Sequence, residues 1–193
     1  TSIEQSLALL KQFQTILQRE SLKNDLDGKF TVIFHNYGLD LTTVQEIYEE
    51  YKHNPPIPRN MPPVAGNIMW SRHLLKRIEE PMRRFESNPT VLATKDSRKI
   101  IKTYNKVART LVAFEYLWYE AWCRSVESAK AGLQATLIIR HPETKKLYVN
   151  FDPEILQLIR EAKCLSRIGI DIPESAKIVL LQEDKFKGYY NDL

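Results

Sequence analysis

Half of the chain's 10 prolines fall within nine consecutive positions, and that cluster limits the possible folds more than any other feature. In Asn54-Pro55-Pro56-Ile57-Pro58-Arg59-Asn60-Met61-Pro62-Pro63, each proline removes an amide donor, fixes its own φ and disfavours helix at the residue before it. The segment must be a non-helical connector. Residues 54–66 are therefore assigned to a linker, with Pro62, Pro63 and Gly66 setting the angle between the helices on either side.

Helical periodicity dominates both sides of the linker. Ile3, Leu7, Leu10, Phe13 or Gln14, and Leu17 form one apolar stripe on a first helix expected to end near Glu20. Phe30-Thr31-Val32-Ile33-Phe34 lies between Gly28 and Gly38 and is compatible with a short strand or a helical turn. Leu41, Val44, Ile47, Tyr48 and Tyr51 mark a second amphipathic helix, closing a block over residues 1–53.

Beyond Gly66, Ile68, Met69, Leu74, Leu75, Ile78, Met82 and Phe85 predict a helix that Pro81 should kink or restart. The longest signal follows, from about Ser97 to Lys130, and completes a block over residues 67–131 closed by Gly132. Residues 132–152 read as a β-hairpin. Leu133 to Arg140 is rich in β-branched and apolar residues, His141 to Lys145 has turn chemistry, and Lys146 to Phe151 alternates with period two. Asp152-Pro153-Glu154 is a helix start, Gly169 a stop and Asp171-Ile172-Pro173-Glu174 a second start, so residues 153–193 are C-terminal helices. The expected fold class is mainly α: an elongated bundle of about six to eight helices with a Pro-rich linker and one hairpin.

With 193 residues, 43% of them hydrophobic, the chain can bury one or two small cores. No apolar run approaches the roughly 20 residues that cross a bilayer, so no membrane partner is expected. Cys123 and Cys164 share no redox or metal-ligand spacing and are expected to be free thiols. The chain starts at Thr1 and stops at Tyr189-Tyr190-Asn191-Asp192-Leu193 inside an uncapped helical pattern, which reads as a piece of a longer protein.

Catalytic chemistry finds no support. The chain has no Gly-rich phosphate loop, dinucleotide fingerprint, His-Glu-x-x-His or Cys-x-x-Cys, so no catalytic residue, cofactor or metal site is assigned. His35, His53, His73 and His141 are scattered, and Glu79-Glu80 among Lys76, Arg77, Arg83 and Arg84 reads as a surface ion-pair set.

Two features stand out. The net charge of +4 is local: residues 61–130 carry 13 basic against 7 acidic groups, while the flanking segments are near balance. Within this stretch Lys99, Lys102 and Lys106 recur at three- and four-residue steps and, with Arg98, form a basic ridge suited to an acidic protein surface. The same excess motivates an alternative, a basic helical nucleic-acid-binding module, although only Tyr104 supplies an interleaved aromatic there. The aromatic set Phe114, Tyr116, Trp118, Tyr119 and Trp122 covers more than one helical face, which should leave Tyr116 or Tyr119 toward another element or a partner.

Several separate blocks, in order, carry a family resemblance. They are Asn54 to Ile57, Arg59 to Gly66, Trp70-Ser71-Arg72 and Arg77 to Met82, then Gly132 to Leu137, Leu147 to Glu154 and Ile172 to Lys177. Together they resemble the N-terminal tail (stem) region 1 of dynein heavy chains, of the axonemal type and most like the outer-arm gamma-type. The resemblance covers essentially the whole chain.

It implies a non-catalytic stem segment of a microtubule motor that drives ciliary or flagellar beating. The ATP- and Mg-dependent motor would lie elsewhere in the parent chain, and microtubules would be reached only through it. The implied partners are dynein intermediate and light chains and neighbouring heavy-chain tail bundles, with no nucleic acid. The implied location is the cytoskeleton of the axoneme. Arg98, Lys99, Lys102 and Lys106 are the candidate partner-binding residues, and the hairpin edge is a second candidate surface.

Overall fold

A computed structural model describes residues 20–87, 95–133, 138–150 and 154–192, together with positions 5, 8 and 92. Six helices and one hairpin occupy the described residues: α1 (Glu20–Tyr51), α2 (Pro63–Glu86), α3 (Lys95–Leu133), β1 (Ile138–Arg140), β2 (Leu147–Val149), α4 (Glu154–Arg167), α5 (Glu174–Leu181) and α6 (Glu183–Asp192). The mainly helical class with a single hairpin is as expected from the sequence. Two compact units divide the chain, the first from residues up to Pro56 with Trp70–Phe114, the second from Ile57–Met69 with Glu115 onward.

In the first unit, α1 is one helix of 32 residues rather than a short element followed by a separate helix. Phe30, Ile33, Phe34, Tyr37, Leu41 and Val44 are buried at three- and four-residue steps, while Thr31 and Val32 are exposed. That 3.6-residue pattern settles the Phe30–Phe34 run as helix. Gly38 does not break it; a Cβ there would stand 3.3 Å from Ile100 Cδ1, so this glycine lets α1 and α3 approach closely. The expected first amphipathic stripe lies, up to position 19, outside the described residues apart from two isolated positions.

The core of this unit is aromatic at its centre. Phe85 from α2 meets Phe34 at 5.4 Å and Tyr37 at 5.1 Å between ring centroids, both in inclined geometries that favour aromatic pairs. The Tyr37 hydroxyl, fully buried, donates to the Ile78 carbonyl at 2.7 Å, and Ser71 donates to the Leu111 carbonyl at 2.7 Å. Farther along, Tyr48, Trp70 and Phe114 form a second ring cluster. Pro81 sits inside α2, which neither ends nor restarts there.

In the second unit, α2 begins at Pro63, within the segment assigned to the linker, and Gly66 is already helical. Proline is tolerated at the first helical position because its missing N–H would have had no intrahelical partner. The remaining first-turn donors are all met. Gly66 N–H donates to the Pro62 carbonyl at 2.8 Å, and the Val64 and Ala65 N–H groups donate to the Glu161 carboxylate on α4 at 2.8 and 2.9 Å. Ala65, Ile68, Trp122, Val126, Ala162, Leu165, Ile172 and Ala176 pack around this junction.

A Cβ on Gly66 would overlap the Ile57 side chain, chiefly its Cγ2. Gly66→Ala sets about 1 kcal/mol of helix propensity against about 1–3 kcal/mol of overpacking at a β-branched neighbour. We expect net destabilisation, and expect Gly66→Ala to become stabilising in an Ile57→Ala background; urea unfolding of the four chains of that cycle checks both signs.

The rest of this unit follows the expected order with shifted boundaries. Helix α3 extends past Gly132 to Leu133. The hairpin pairs Ile138 with Val149, Ile139 with Tyr148 and Arg140 with Leu147, and Lys145 adopts φ 56° in its turn. Residues 134–137 and 151–153, including the expected Asp152 cap, lie outside the described residues. Helix α4 stops before Gly169, which takes φ +77° as a helix-ending residue should. Pro173 takes the cap position of α5 with no side-chain cap, and Asp171 pairs with Lys177 at 3.4 Å instead. The last helical pattern is two helices, α5 and α6, parted at Gln182.

Candidate docking surface

Arg98, Lys99, Lys102 and Lys106 all lie in the first unit, on the part of α3 preceding Phe114, and all are exposed. At 100° per residue they span an arc of about 100°, and Arg109 falls on the same arc. None of the four has an ion pair among the described residues, whereas Lys52, Arg77, Arg83, Arg124, Lys163 and Lys187 each hold a carboxylate. Pairs such as Arg98–Lys102 and Lys102–Lys106 put like charges four residues apart, each costing the isolated helix about 0.2–0.5 kcal/mol. Arg98 also stands close to a helix N-terminus, where cations are disfavoured. The ridge is therefore not arranged for the stability of α3.

The four cations are not equivalent. Lys99 lines a groove between α1 and α3, together with Asp96, His35 and Leu39, and Lys106 lines a separate, much smaller pocket between the same helices. Lys102 lies between them on the solvent side, and Arg98 is farthest round the helix from the groove. The other candidates, Pro62, Pro63 and Gly66, belong to the second unit at the start of α2. Glu79 and Arg83 form the expected surface pair at 2.8 Å.

Glu161 was not legible as a site residue. It is 2% exposed, its carboxyl raised above the usual carboxylate range by burial, against the opposing pull of the Ala65 and Val64 N–H groups. The signal was indirect: α2 starts at Pro63 with Pro62, which has no side-chain acceptor, at the cap position, so its amides need an acceptor from elsewhere. The aromatic set on α3 divides as its spread predicted. Phe114 and Trp122 are buried, Tyr116 is exposed, and the Tyr119 hydroxyl donates to the Asp171 carbonyl at 2.9 Å. A hydrogen bond with Cys123, with burial adding to it, pushes the Tyr119 phenol up to about 12. Cys123 and Cys164 are free thiols. Among the described residues no His, Cys, Asp and Glu cluster is placed to hold a metal, and no helix is long and apolar enough to cross a membrane.

The chain matches the family model described as dynein heavy chain, N-terminal region 1, over residues 1–193. The chain belongs to the dynein heavy-chain family. It is 56% identical over 193 residues to the dynein gamma chain, flagellar outer arm, of Chlamydomonas reinhardtii, covering 100% of this chain and 4% of that one. It is 38% identical over 193 residues to dynein axonemal heavy chain 5 of Mus musculus, with the same coverages. To the dynein beta chain, ciliary, of Tripneustes gratilla it is 31% identical over 205 residues, covering 99% of this chain and 5% of that one. The chain thus spans about one twenty-fifth of the length of the first two dynein heavy chains, and it corresponds to their non-catalytic N-terminal tail.

Proposed function

We propose that this chain is a stem and assembly segment of an axonemal dynein heavy chain, holding associated chains to a motor that drives ciliary or flagellar beating. The full-length match to an N-terminal dynein region supports the stem assignment, and the four exposed cations at 98, 99, 102 and 106, without an ion pair among the described residues, support a docking role within it. The motor's ATP- and Mg-dependent chemistry and its microtubule contacts belong to other parts of the parent chain, which works in the axoneme. Neighbouring tail bundles of the heavy chain are further partners.

The specific assignment is that Arg98, Lys99, Lys102 and Lys106 receive an acidic surface of the intermediate chain or a light chain. The hairpin is a second candidate: Ile139, Leu147 and Tyr148 are exposed, and its strands are edges able to accept another strand. The nucleic-acid alternative rests on the same ridge alone, and the family assignment favours a protein partner.

Size-exclusion co-elution with the matching dynein intermediate chain at moderate salt tests the assignment. The wild-type chain is expected to co-elute, and the Lys99→Glu/Lys102→Glu/Lys106→Glu variant, still folded by circular dichroism, to lose the complex. Equal co-elution of both chains removes the ridge as the site. Salt-steep binding to generic duplex DNA without intermediate-chain binding would restore the alternative.

A further inference from the structure

Helix α3 buries one face and leaves the opposite face bare. Val107, Leu111, Phe114, Trp122 and Val126 are buried, whereas Lys102, Lys106, Arg109, Ala113, Tyr116 and Glu127 are exposed, with Glu120 and Cys123 half-buried among them. These last eight positions follow one another at alternating four- and three-residue steps, a seven-residue period kept over about 38 Å of one helix. That is the spacing at which one helix meets another along a seam. The middle of the face is apolar: Val112, Tyr116 and Leu117 are 52%, 59% and 62% exposed.

The charge on this face is ordered by position. Lys102, Lys106 and Arg109 precede the apolar middle, and Glu120 and Glu127 follow it. None of the three cations has an ion pair among the described residues. Glu120 pairs with Arg124 of its own helix at 2.6 Å, and Glu127 accepts from the Ser175 hydroxyl at 3.0 Å. Two copies of such a face fit in one direction only. In parallel, Lys102 and Arg109 would meet their own like charges. Antiparallel about a two-fold centred between Phe114 and Glu115, Ala113 meets Tyr116, Val112 lies across from Leu117, Arg109 meets Glu120 and Lys102 meets Glu127, each pair formed twice. Small Ala113 makes room for the Tyr116 ring. Arg124 falls opposite Asn105 rather than a cation, so Glu120 can keep it while accepting Arg109.

We infer that the exposed face of α3 pairs antiparallel with the same face of a second copy of this chain, with Ala113 and Tyr116 at the centre and Arg109–Glu120 and Lys102–Glu127 ion pairs on either side. The order of charge selects this occupant. A uniformly acidic helix would satisfy Lys102, Lys106 and Arg109 but would set its own acids against Glu120 and Glu127. The inference goes beyond the docking role proposed above and does not depend on it. Lys102 and Lys106 are shared with the basic ridge, whereas Arg109, Tyr116 and Glu120 belong to the pairing alone.

Sedimentation velocity of the full chain over a range of concentrations is the test, on variants still folded by circular dichroism. Wild type is expected to pass from one copy to two as concentration rises. Tyr116→Glu, Arg109→Glu and Glu120→Arg should each weaken the dimer at least tenfold, while Arg140→Glu, an equal charge change on the hairpin, should alter it less than twofold. The deciding measurement mixes the Arg109→Glu and Glu120→Arg chains. Each alone sets like charges together in both Arg109–Glu120 layers, but one copy of each makes both layers complementary, so the mixture should dimerise to within about threefold of wild type. A chain that stays single at all concentrations, a dimer that Tyr116→Glu leaves intact, or a mixture no better than its components overturns the pairing. So does loss of intermediate-chain co-elution in Tyr116→Glu, since the face then belongs to that chain. Self-association that fails while wild type still co-elutes with the intermediate chain, and the triple lysine variant does not, removes the pairing and keeps the ridge.

Discussion

Phe85→Ala is expected to cost the first unit about 3–5 kcal/mol, the usual range for emptying a buried phenylalanine site. Phe85 is 1% exposed and sits between the Phe34 and Tyr37 rings, so its removal forfeits two aromatic contacts as well as its own burial. Surrounding rings are too stiff to close the space. The Tyr37 hydroxyl, anchored on Ile78, would be left beside a cavity. Urea unfolding should show the loss, and amide exchange should accelerate in α1 and in the part of α2 after Trp70. A conservative Phe85→Leu chain should lose clearly less, because it keeps most of the volume. If the alanine chain unfolds within about 1 kcal/mol of wild type, the aromatic centre does not carry the stability assigned to it.

The second large effect belongs to Glu161. Its carboxylate meets two amides that the sequence of α2 gives no other acceptor, in a site with 2% exposure. Glu161→Ala leaves the buried Ala65 donor and the half-buried Val64 donor unpaired, at about 1–3 kcal/mol for a fully buried group, offset by no longer burying an ionisable group. We expect a net loss of about 2–4 kcal/mol and rapid exchange of the Val64 and Ala65 amides. Glu161→Gln keeps one acceptor and turns an NH₂ toward the other amide, so it should fall between the two.

Titration gives an independent check on Glu161. Burial raises its folded pKa above the unfolded value of about 4.3. The folded chain then binds more proton than the unfolded chain between those two values. This group's contribution is accordingly fullest at the acid end of the window and is lost as pH rises through the raised value. The stability difference between wild type and Glu161→Gln should shrink as pH is raised from about 4. A difference that grows instead would mean that the two N–H groups outweigh burial.

What the sequence disclosed, and what it concealed, follows physical lines. Helix α3 was visible nearly end to end because its apolar residues keep one period over many turns, and the turn at Gly169 was visible because only a glycine takes φ +77° without strain. Helix α1 was concealed by Gly28 and Gly38. Glycine reads as punctuation in sequence, but at Gly38 the cost of a helical glycine is offset by the approach of Ile100. The start of α2 was placed late because the prolines of the linker looked uniformly helix-breaking, although Pro63 opens the helix. The break at Gln182 had no proline or glycine to announce it. For the proposed docking surface, helical arithmetic placed Arg98, Lys99, Lys102 and Lys106 on one side of a helix. Which of them borders a groove depended on α1, whose course was the part misread.

The Glu161 cap also has a place in time. It joins residues 97 and 96 positions apart in the chain, Val64 and Ala65 being made first. At a synthesis rate of roughly 5–20 residues per second, about 5–20 s separate the emergence of the α2 start from that of its acceptor. Through that interval the Pro-Pro turn has only water to hold its amides, and loop closure over so long a span is entropically slow to be rewarded. The nascent chain therefore carries an open-ended α2 until α4 arrives, a vulnerable stage that a slow codon run before position 161 would lengthen.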